Sequence, residues 1–171
     1  MKHIFYHLTA VMVVVVWGMT FISTKVLIVH GLSPQEIFLF RFLLAYAAVC
    51  PISFHRFFAR NLKDELYLVG GGVLGGSLFF FLQNMALGLT QASNVSFIIC
   101  TAPLLTAVLT VSVRMEKVSR GFIHGSIVAL LGVGLLIFNG TFILRISLLG
   151  DLLTFLASLS WAFYSLVIQD L

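Results

Sequence analysis

Apolar residues occur along this chain in six long runs that are separated by short polar breaks. The first run, Ile4 to Val29, is too long for the core of a signal peptide, which takes about 7 to 15 residues. The later runs cover about 34–54, 66–89, 93–113, 122–138 and 148–171. Because a helix needs about 20 residues to cross the hydrocarbon core of a bilayer, the pattern predicts an all-α, polytopic membrane bundle of about six transmembrane helices.

The polar breaks predict how these helices begin and connect. Ser33-Pro34-Gln35-Glu36 has the order of a capping box, with proline at the first helical position of the second helix. Only residues 90–92 separate the third and fourth runs, which predicts an antiparallel hairpin. Two longer breaks, His55 to Glu65 and Asn139 to Ser147, are expected to connect the second helix to the third and the fifth to the sixth.

Glycine and proline predict where the helices pack closely or bend. Overlapping G-x-x-x-G spacings lie within residues 71–76, and another lies at residues 121–125. Such spacings allow the backbones of two membrane helices to approach each other. Pro103 has no amide hydrogen, so we expect a kink near the middle of the fourth helix.

Composition excludes a water-soluble globule. The chain has 171 residues, of which 60% are hydrophobic and 9% are charged. A typical soluble domain has about 25% charged residues, which cover its core with a polar shell. The net charge of +4 comes from small basic groups between the apolar runs, and no basic patch with interleaved aromatic residues indicates nucleic-acid binding.

The distribution of lysine and arginine predicts the orientation in the membrane. Seven of these residues fall at the N-terminus and in alternate loops: Lys2, Arg56, Arg60, Lys63, Arg114, Lys117 and Arg120. Arg145 is the only one in a loop on the other side. By the positive-inside rule the N-terminus is cytoplasmic. We expect a multi-pass protein of the plasma membrane, which in a bacterium is the inner membrane.

Several segments together carry a family resemblance. Trp17-Gly18-Met19-Thr20-Phe21-Ile22-Ser23 and Trp161-Ala162-Phe163-Tyr164-Ser165-Leu166-Val167 share an order of aromatic, small, bulky and hydroxyl residues. WGMTFISTKVL, ALGLTQASNVSFIICTAPLLTAVL, GSIVALLGVGLLI and GDLLTFLASLSWAFYSLVIQDL follow one another in the order and spacing of the EamA domain. Over nearly its whole length the chain resembles the drug and metabolite transporter superfamily.

The resemblance implies both an architecture and an activity. Members of the superfamily carry two five-helix EamA repeats in inverted topology around a central cavity. Residues 1–140 would then form one repeat of five transmembrane helices, and residues 148–171 the first helix of an incomplete second repeat. The implied function is that of a permease or exporter, which moves small metabolites by alternating access in its full ten-helix form. A homodimer is a possible substitute for the missing second half.

Two cations within the predicted helices are candidates for substrate binding. Lys25 and Arg41 enter the membrane from the same side by similar depths, so together they could hold a substrate carboxylate. The alternative is that they snorkel to the headgroups, or pair with Glu36 and backbone carbonyls. In the first helix Trp17, Thr20 and Thr24 share one face, which either lines a cavity or packs against another helix.

Further candidates come from the third and fourth helices. Gln83 and Asn84 lie deep in the third run, where an unpaired amide is costly, and contact either substrate or another helix. The fourth helix has a stripe of small or polar residues, which consists of Ser96, Cys100, Pro103, Ala107 and Thr110. A bent helix that lines a cavity and a helix that packs closely against its neighbours explain this stripe equally well. The candidate cavity residues are Trp17, Thr20, Thr24, Lys25, Arg41, Gln83, Asn84, Ser96, Cys100 and Pro103.

Other functional classes receive little support from the sequence. No paired catalytic acids, Ser-His pair or zinc signature occurs within the runs, so we expect no enzyme, metal or cofactor. All six acidic residues lie at or near predicted helix ends, which leaves no carboxylate at mid-membrane for a proton relay. The competing hypothesis is a non-transporting membrane fragment, partner subunit or scaffold. The expected partners are the lipid bilayer and a small metabolite.

Overall fold

The computed structural model describes residues 2–53, 61–138, 147–169 and 171, and all regular structure within these ranges is helical. The helices are α1 (Lys2–Val29), α2 (Pro34–Ser53), α3 (Leu62–Leu89), α4 (Ala92–Arg114), α5 (Arg120–Phe138) and α6 (Leu148–Ile168). Five are long and apolar enough to cross a membrane, and α5 has a shorter apolar part, Arg120–Leu135. The predicted polytopic helical bundle is confirmed.

Local interactions explain where the helices begin. The Ser33 amide and hydroxyl both donate to Glu36 Oε2 at 2.8 Å, which confirms the capping box of α2. The prediction that α3 begins at Leu66 was wrong, because Leu62 already starts it. Asp64 and Glu65 favour this earlier start, since carboxylates stabilise the positive end of a helix dipole.

The two long connections predicted from the sequence cannot be compared over their full length with the described residues. Residues 54–60, with Arg56 and Arg60, and residues 139–146, with Arg145, lie outside the described part, as do the connections predicted there. The last helix ends at Ile168 and does not continue to Leu171 as the apolar pattern indicated.

Two of the helices are irregular near their middle. α3 contains a π-helical segment, Gly72–Leu78, between α-helices Leu62–Gly71 and Phe79–Leu89. α4 consists of Ala92–Ile99 and Ala102–Arg114, with a turn between them just before Pro103. The predicted kink is therefore present as a break, because proline cannot donate the hydrogen bond that would continue the first half.

The third helix lies at the centre of the bundle and contacts α1, α2, α4 and α6. Trp17 of α1 lies against Phe79, and Lys25 contacts Leu87, so these two helices run parallel. α6 runs antiparallel to α3, with Tyr164 near Gly75 at the middle of α3 and Gly150 near Thr90 just after its C-terminal end. The fifth helix packs mainly against α4 and lies at the edge of the bundle.

Small residues allow α3 and α6 to come close together. A Cβ atom on Gly75 would lie 2.5 Å from the ring of Tyr164, and one on Gly71 would lie 3.0 Å from Ile168. The spacing within residues 71–76 thus serves close helix packing, as predicted. By contrast, a Cβ on Gly121 or Gly125 would meet nothing within 4 Å among the described residues.

Serines of α6 bond to both irregular segments. Ser160 Oγ donates to the carbonyl of Leu74 in the π-helical segment at 2.8 Å. Ser158 Oγ shares its hydrogen between the carbonyl of Ile98, next to the break in α4, at 3.3 Å and the Thr154 carbonyl of its own helix at 3.1 Å. Irregular backbone inside a membrane needs such partners, because no water is available there. The sixth helix therefore stabilises the bends in the wall that faces it.

Candidate substrate cavity

An open cavity of about 750 Å³ lies between α1, α3 and α6, and its α1 residues Met12, Val13, Val14 and Val16 are more than half exposed. Its volume is in the range of small-molecule sites, and the wall that it presents is apolar. The lining residues are Met12, Val13, Val14, Val16, Trp17, Thr20, Phe80 and Trp161. Thr20 adds no free hydroxyl, because its Oγ1 donates to the Trp17 carbonyl at 2.6 Å.

Aromatic rings form the inner wall of this cavity. The rings of Trp17 and Trp161 have centroids 5.6 Å apart, and Phe79 lies 4.9 Å from Trp161. Phe79 is fully buried, and its ring lies 5.0 Å from that of Phe80. The two tryptophans are the residues that begin the repeated sequence motifs. The fold brings them together because α1 and α6 pack on the same stretch of α3.

Arg41 lies beside the cavity on α2. Its guanidinium carbon is 5.0 Å from the centroid of Phe80, one of the lining residues. This is the geometry of a cation–π contact. In the part of the chain that the structure describes, its buried Nη1 atom has no hydrogen-bond partner. Glu36, one expected partner, is bonded to Ser33.

Two amide side chains of α3 are buried without partners. Gln83 is 0% exposed and Asn84 is 1% exposed. None of their four amide atoms is hydrogen-bonded within residues 2–53, 61–138 and 147–169, and neither is the buried Nε1 of Trp17. Both amides lie about one helical turn from Phe79 and Phe80. We refer to Trp17, Arg41, Gln83 and Asn84 as the central set.

Lys25 has a different role from Arg41. Its ammonium donates to the carbonyls of Leu87 at 2.6 Å and Thr90 at 2.7 Å, at the C-terminal end of α3. The Thr90 hydroxyl lies 3.5 Å from Asp151 Oδ1, and Asn94 Nδ2 lies 3.4 Å from the same hydroxyl. We refer to Lys25, Thr90, Asn94 and Asp151 as the terminal cluster. It joins four helices, α1, α3, α4 and α6, or the turns beside them.

The remaining sequence candidates fall in several places. Thr24 is 2% exposed in the packed interior and Ser96 is half-buried. Cys100 and Pro103, at the break in α4, are exposed and do not line this cavity. Six of the eight lining residues were not among the sequence candidates: Met12, Val13, Val14, Val16, Phe80 and Trp161. Of these, Trp161 alone had a signal, as the counterpart of Trp17 in the repeated motif.

Comparison with known proteins identifies the family. The profile of the EamA-like transporter family matches residues 4–138, which include α1 to α5 and most of the cavity lining. Comparisons with curated proteins and with solved structures find no match. The family and the helices together make this a multi-pass membrane protein of a transporter family. The chain therefore belongs to the EamA-like transporter family.

Proposed function

We propose that the protein moves small metabolites across the membrane by alternating access, and that the cavity between α1, α3 and α6 holds the substrate. The observation that carries this proposal is the central set: Trp17 lines the apolar cavity, Arg41 contacts the lining ring of Phe80, and six buried polar atoms of the set have no hydrogen-bond partner among the described residues. An unpaired polar group inside a membrane costs several kcal/mol. A substrate or water in the cavity would offset that cost.

The terminal cluster supports a mechanism in which one end of the bundle opens and closes. It closes the end at which α1 and α3 finish, which the positive-inside rule places outside the cell. Opening that end would separate Lys25 from the carbonyls of Leu87 and Thr90. The proposed site is then exposed to one side of the membrane at a time. The ten-helix working unit, the inner membrane location and the cytoplasmic N-terminus remain predictions.

Filling the cavity is the direct test. We suggest measuring uptake and efflux in cells that express the chain, with a labelled panel of amino acids, aromatic carboxylates and nucleosides. Thr20→Trp places a large ring in the cavity, and we expect it to reduce the flux of any transported compound to background. Val128→Trp adds the same ring on α5, where Val128 is 68% exposed, and should leave the flux unchanged.

The two variants also separate transport from a scaffold role. A scaffold or partner subunit would give no flux above background in any of the three chains, although all three reach the membrane. Equal flux through Thr20→Trp and Val128→Trp would show that transport does not use this cavity.

A further inference from the structure

The charge beside the cavity bears on the class of substrate, and this argument rests on the proposed function. Arg41 lies about 10 Å along α2 from Pro34, at the 1.5 Å rise per residue of a helix. An ionised side chain at such a depth is expensive unless something compensates it. Lys25, the other cation that the apolar pattern placed inside a span, is already bonded to backbone carbonyls. Arg41 is therefore the cation near the cavity that is available to a ligand.

Unpaired donors outnumber unpaired acceptors in the central set. The buried atoms without partners in the described ranges are four nitrogens and two oxygens: Trp17 Nε1, Arg41 Nη1, Gln83 Nε2, Asn84 Nδ2, Gln83 Oε1 and Asn84 Oδ1. Indole and guanidinium groups donate only, and each amide provides both functions. This inventory matches a ligand that mainly accepts hydrogen bonds.

The cavity wall determines the remainder of the ligand. None of the eight described residues that line it is charged, and three of them, Trp17, Phe80 and Trp161, are aromatic. The buried ring of Phe79 packs behind them, against Phe80 and Trp161. Aromatic rings attract cations as well as other rings, so a cationic ligand is the alternative. Arg41 disfavours that alternative, since its guanidinium lies only 5.0 Å from the Phe80 centroid and would repel a second positive charge.

From these three observations we infer that the cavity binds apolar, ring-containing monocarboxylates, with the ring between Trp17, Phe80 and Trp161 and the carboxylate toward Arg41. A carboxylate has two acceptor oxygens and no donor, which complements the excess of unpaired donors. Arginine binds carboxylates through parallel, charge-assisted hydrogen bonds. The ligand thus places its carboxylate beside Arg41, next to the lining ring of Phe80, and buries its own ring on the apolar wall.

The two tryptophans provide a direct measurement. They are the only two in the chain and both line the cavity, so tryptophan fluorescence reports its occupancy. The purified 171-residue chain is titrated with 3-phenylpropionate, its neutral amide 3-phenylpropionamide, and the cation 3-phenylpropylamine. We expect the carboxylate to bind about tenfold or more tightly than the amide, because hydrogen bonds to charged groups are strong. The amine should bind most weakly.

Arg41→Gln tests the assigned counter-ion. We expect it to lower the affinity for the carboxylate to that for the amide. The affinity for the amide should stay unchanged, which would also show that the cavity is folded. Arg120→Gln removes the same charge from an exposed position on α5 and should keep the preference. Arg41→Lys retains the charge without the planar fork of the guanidinium and should keep part of the preference for the carboxylate.

The outcomes separate this inference from the proposed function. Equal binding of the three compounds by the unmodified chain, or a preference that Arg41→Gln leaves intact, overturns the anion inference but not the cavity. Tighter binding of the amine overturns it in favour of cation–π recognition. If none of the compounds changes the fluorescence, both the inference and the assignment of this cavity as the binding site are wrong.

Discussion

The terminal cluster and the central set contain similar side chains in opposite situations. Lys25, Thr90, Asn94 and Asp151 each make a hydrogen bond that joins segments of the bundle. In the central set, six buried atoms have no partner within the described residues. Both groups lie in an environment where polar atoms are costly. The difference indicates that pairing, and not residue type, separates polar groups that hold this bundle together from groups that await a ligand.

The largest expected effect compares the two cations. Lys25→Met removes two charge-assisted hydrogen bonds and leaves two carbonyls at the end of α3 unpaired. We expect a loss of about 4 kcal/mol in the free energy of unfolding. Arg41→Met removes a cation whose buried Nη1 has no hydrogen-bond partner among the described residues. The free energy of unfolding should therefore fall by less than about 1 kcal/mol, or rise. Unfolding in mixed detergent micelles with increasing SDS, followed by circular dichroism, measures both.

A stability loss in Arg41→Met as large as that in Lys25→Met would erase the distinction between the two groups. Arg41 would then have a structural partner, and the inference about its role toward a carboxylate would lose its basis.

The second prediction concerns the α3–α6 interface, because both the central set and the terminal cluster include residues in α3 or directly after it. Gly75→Ala places a methyl group 2.5 Å from the ring of Tyr164. Overpacking of this kind should cost about 2 to 3 kcal/mol in the free energy of unfolding. Gly72→Ala is the matched control, because its methyl group would meet nothing within 4 Å among the described residues. It should be neutral or stabilising, since alanine favours a helix over glycine.

A second substitution tests whether Tyr164 is the cause. Tyr164→Leu removes the ring that a methyl group on residue 75 would strike, so the double variant should recover part of the lost stability. Purely additive losses in the double variant would mean that α3 and α6 do not meet at this point.

Much of this fold follows from local sequence signals. The length of the apolar runs predicted the number of helices. Ser33 and Glu36 predicted the start of α2, because the capping box needs only a contact between residues three positions apart. The start of α3 was misplaced because Asp64 and Glu65 resemble a loop in composition, although they also suit the first turn of a helix. Within α4, Pro103 predicted the break but not that Cys100 and Pro103 themselves are exposed.

The candidate site was less predictable because its distinctions depend on tertiary contacts. Lys25 and Arg41 enter the membrane by similar depths and look equivalent in the sequence. The partners of Lys25 lie 62 and 65 residues away, at the end of another helix. Phe79 and Phe80 belong to an apolar stretch, residues 78–82, in which every residue suits lipid equally well. Their place at the cavity follows from the packing of α1 and α6 on α3, which no local pattern contains.

The third prediction exchanges amides of the two groups for leucine. Gln83→Leu replaces an unpaired buried amide by an apolar group of similar size, so we expect a gain of about 1 to 2 kcal/mol in the free energy of unfolding. Asn94→Leu removes a bonded amide at the terminal cluster and should cost about 1 kcal/mol. The same SDS unfolding experiment measures both signs. A loss of stability in Gln83→Leu would show that the amide has a structural partner.

The smallest effect distinguishes serines within α6, and it extends the comparison from charged groups to hydroxyls. Ser160 donates to a carbonyl of α3, and Ser158 shares its hydrogen between a carbonyl of α4 and the Thr154 carbonyl of its own helix. Among the described residues, Ser165 Oγ donates only to the Trp161 carbonyl of its own helix. Hydrogen bonds between membrane helices contribute about 0.6 kcal/mol on average. Ser160→Ala should lose about that much, Ser158→Ala less because its one hydrogen is shared with a carbonyl of its own helix, and Ser165→Ala almost nothing, because a back-bonded hydroxyl adds no contact between helices. Equal losses at all three positions would mean that the irregular segments of α3 and α4 do not depend on α6, and that pairing across helices is not what stabilises this bundle.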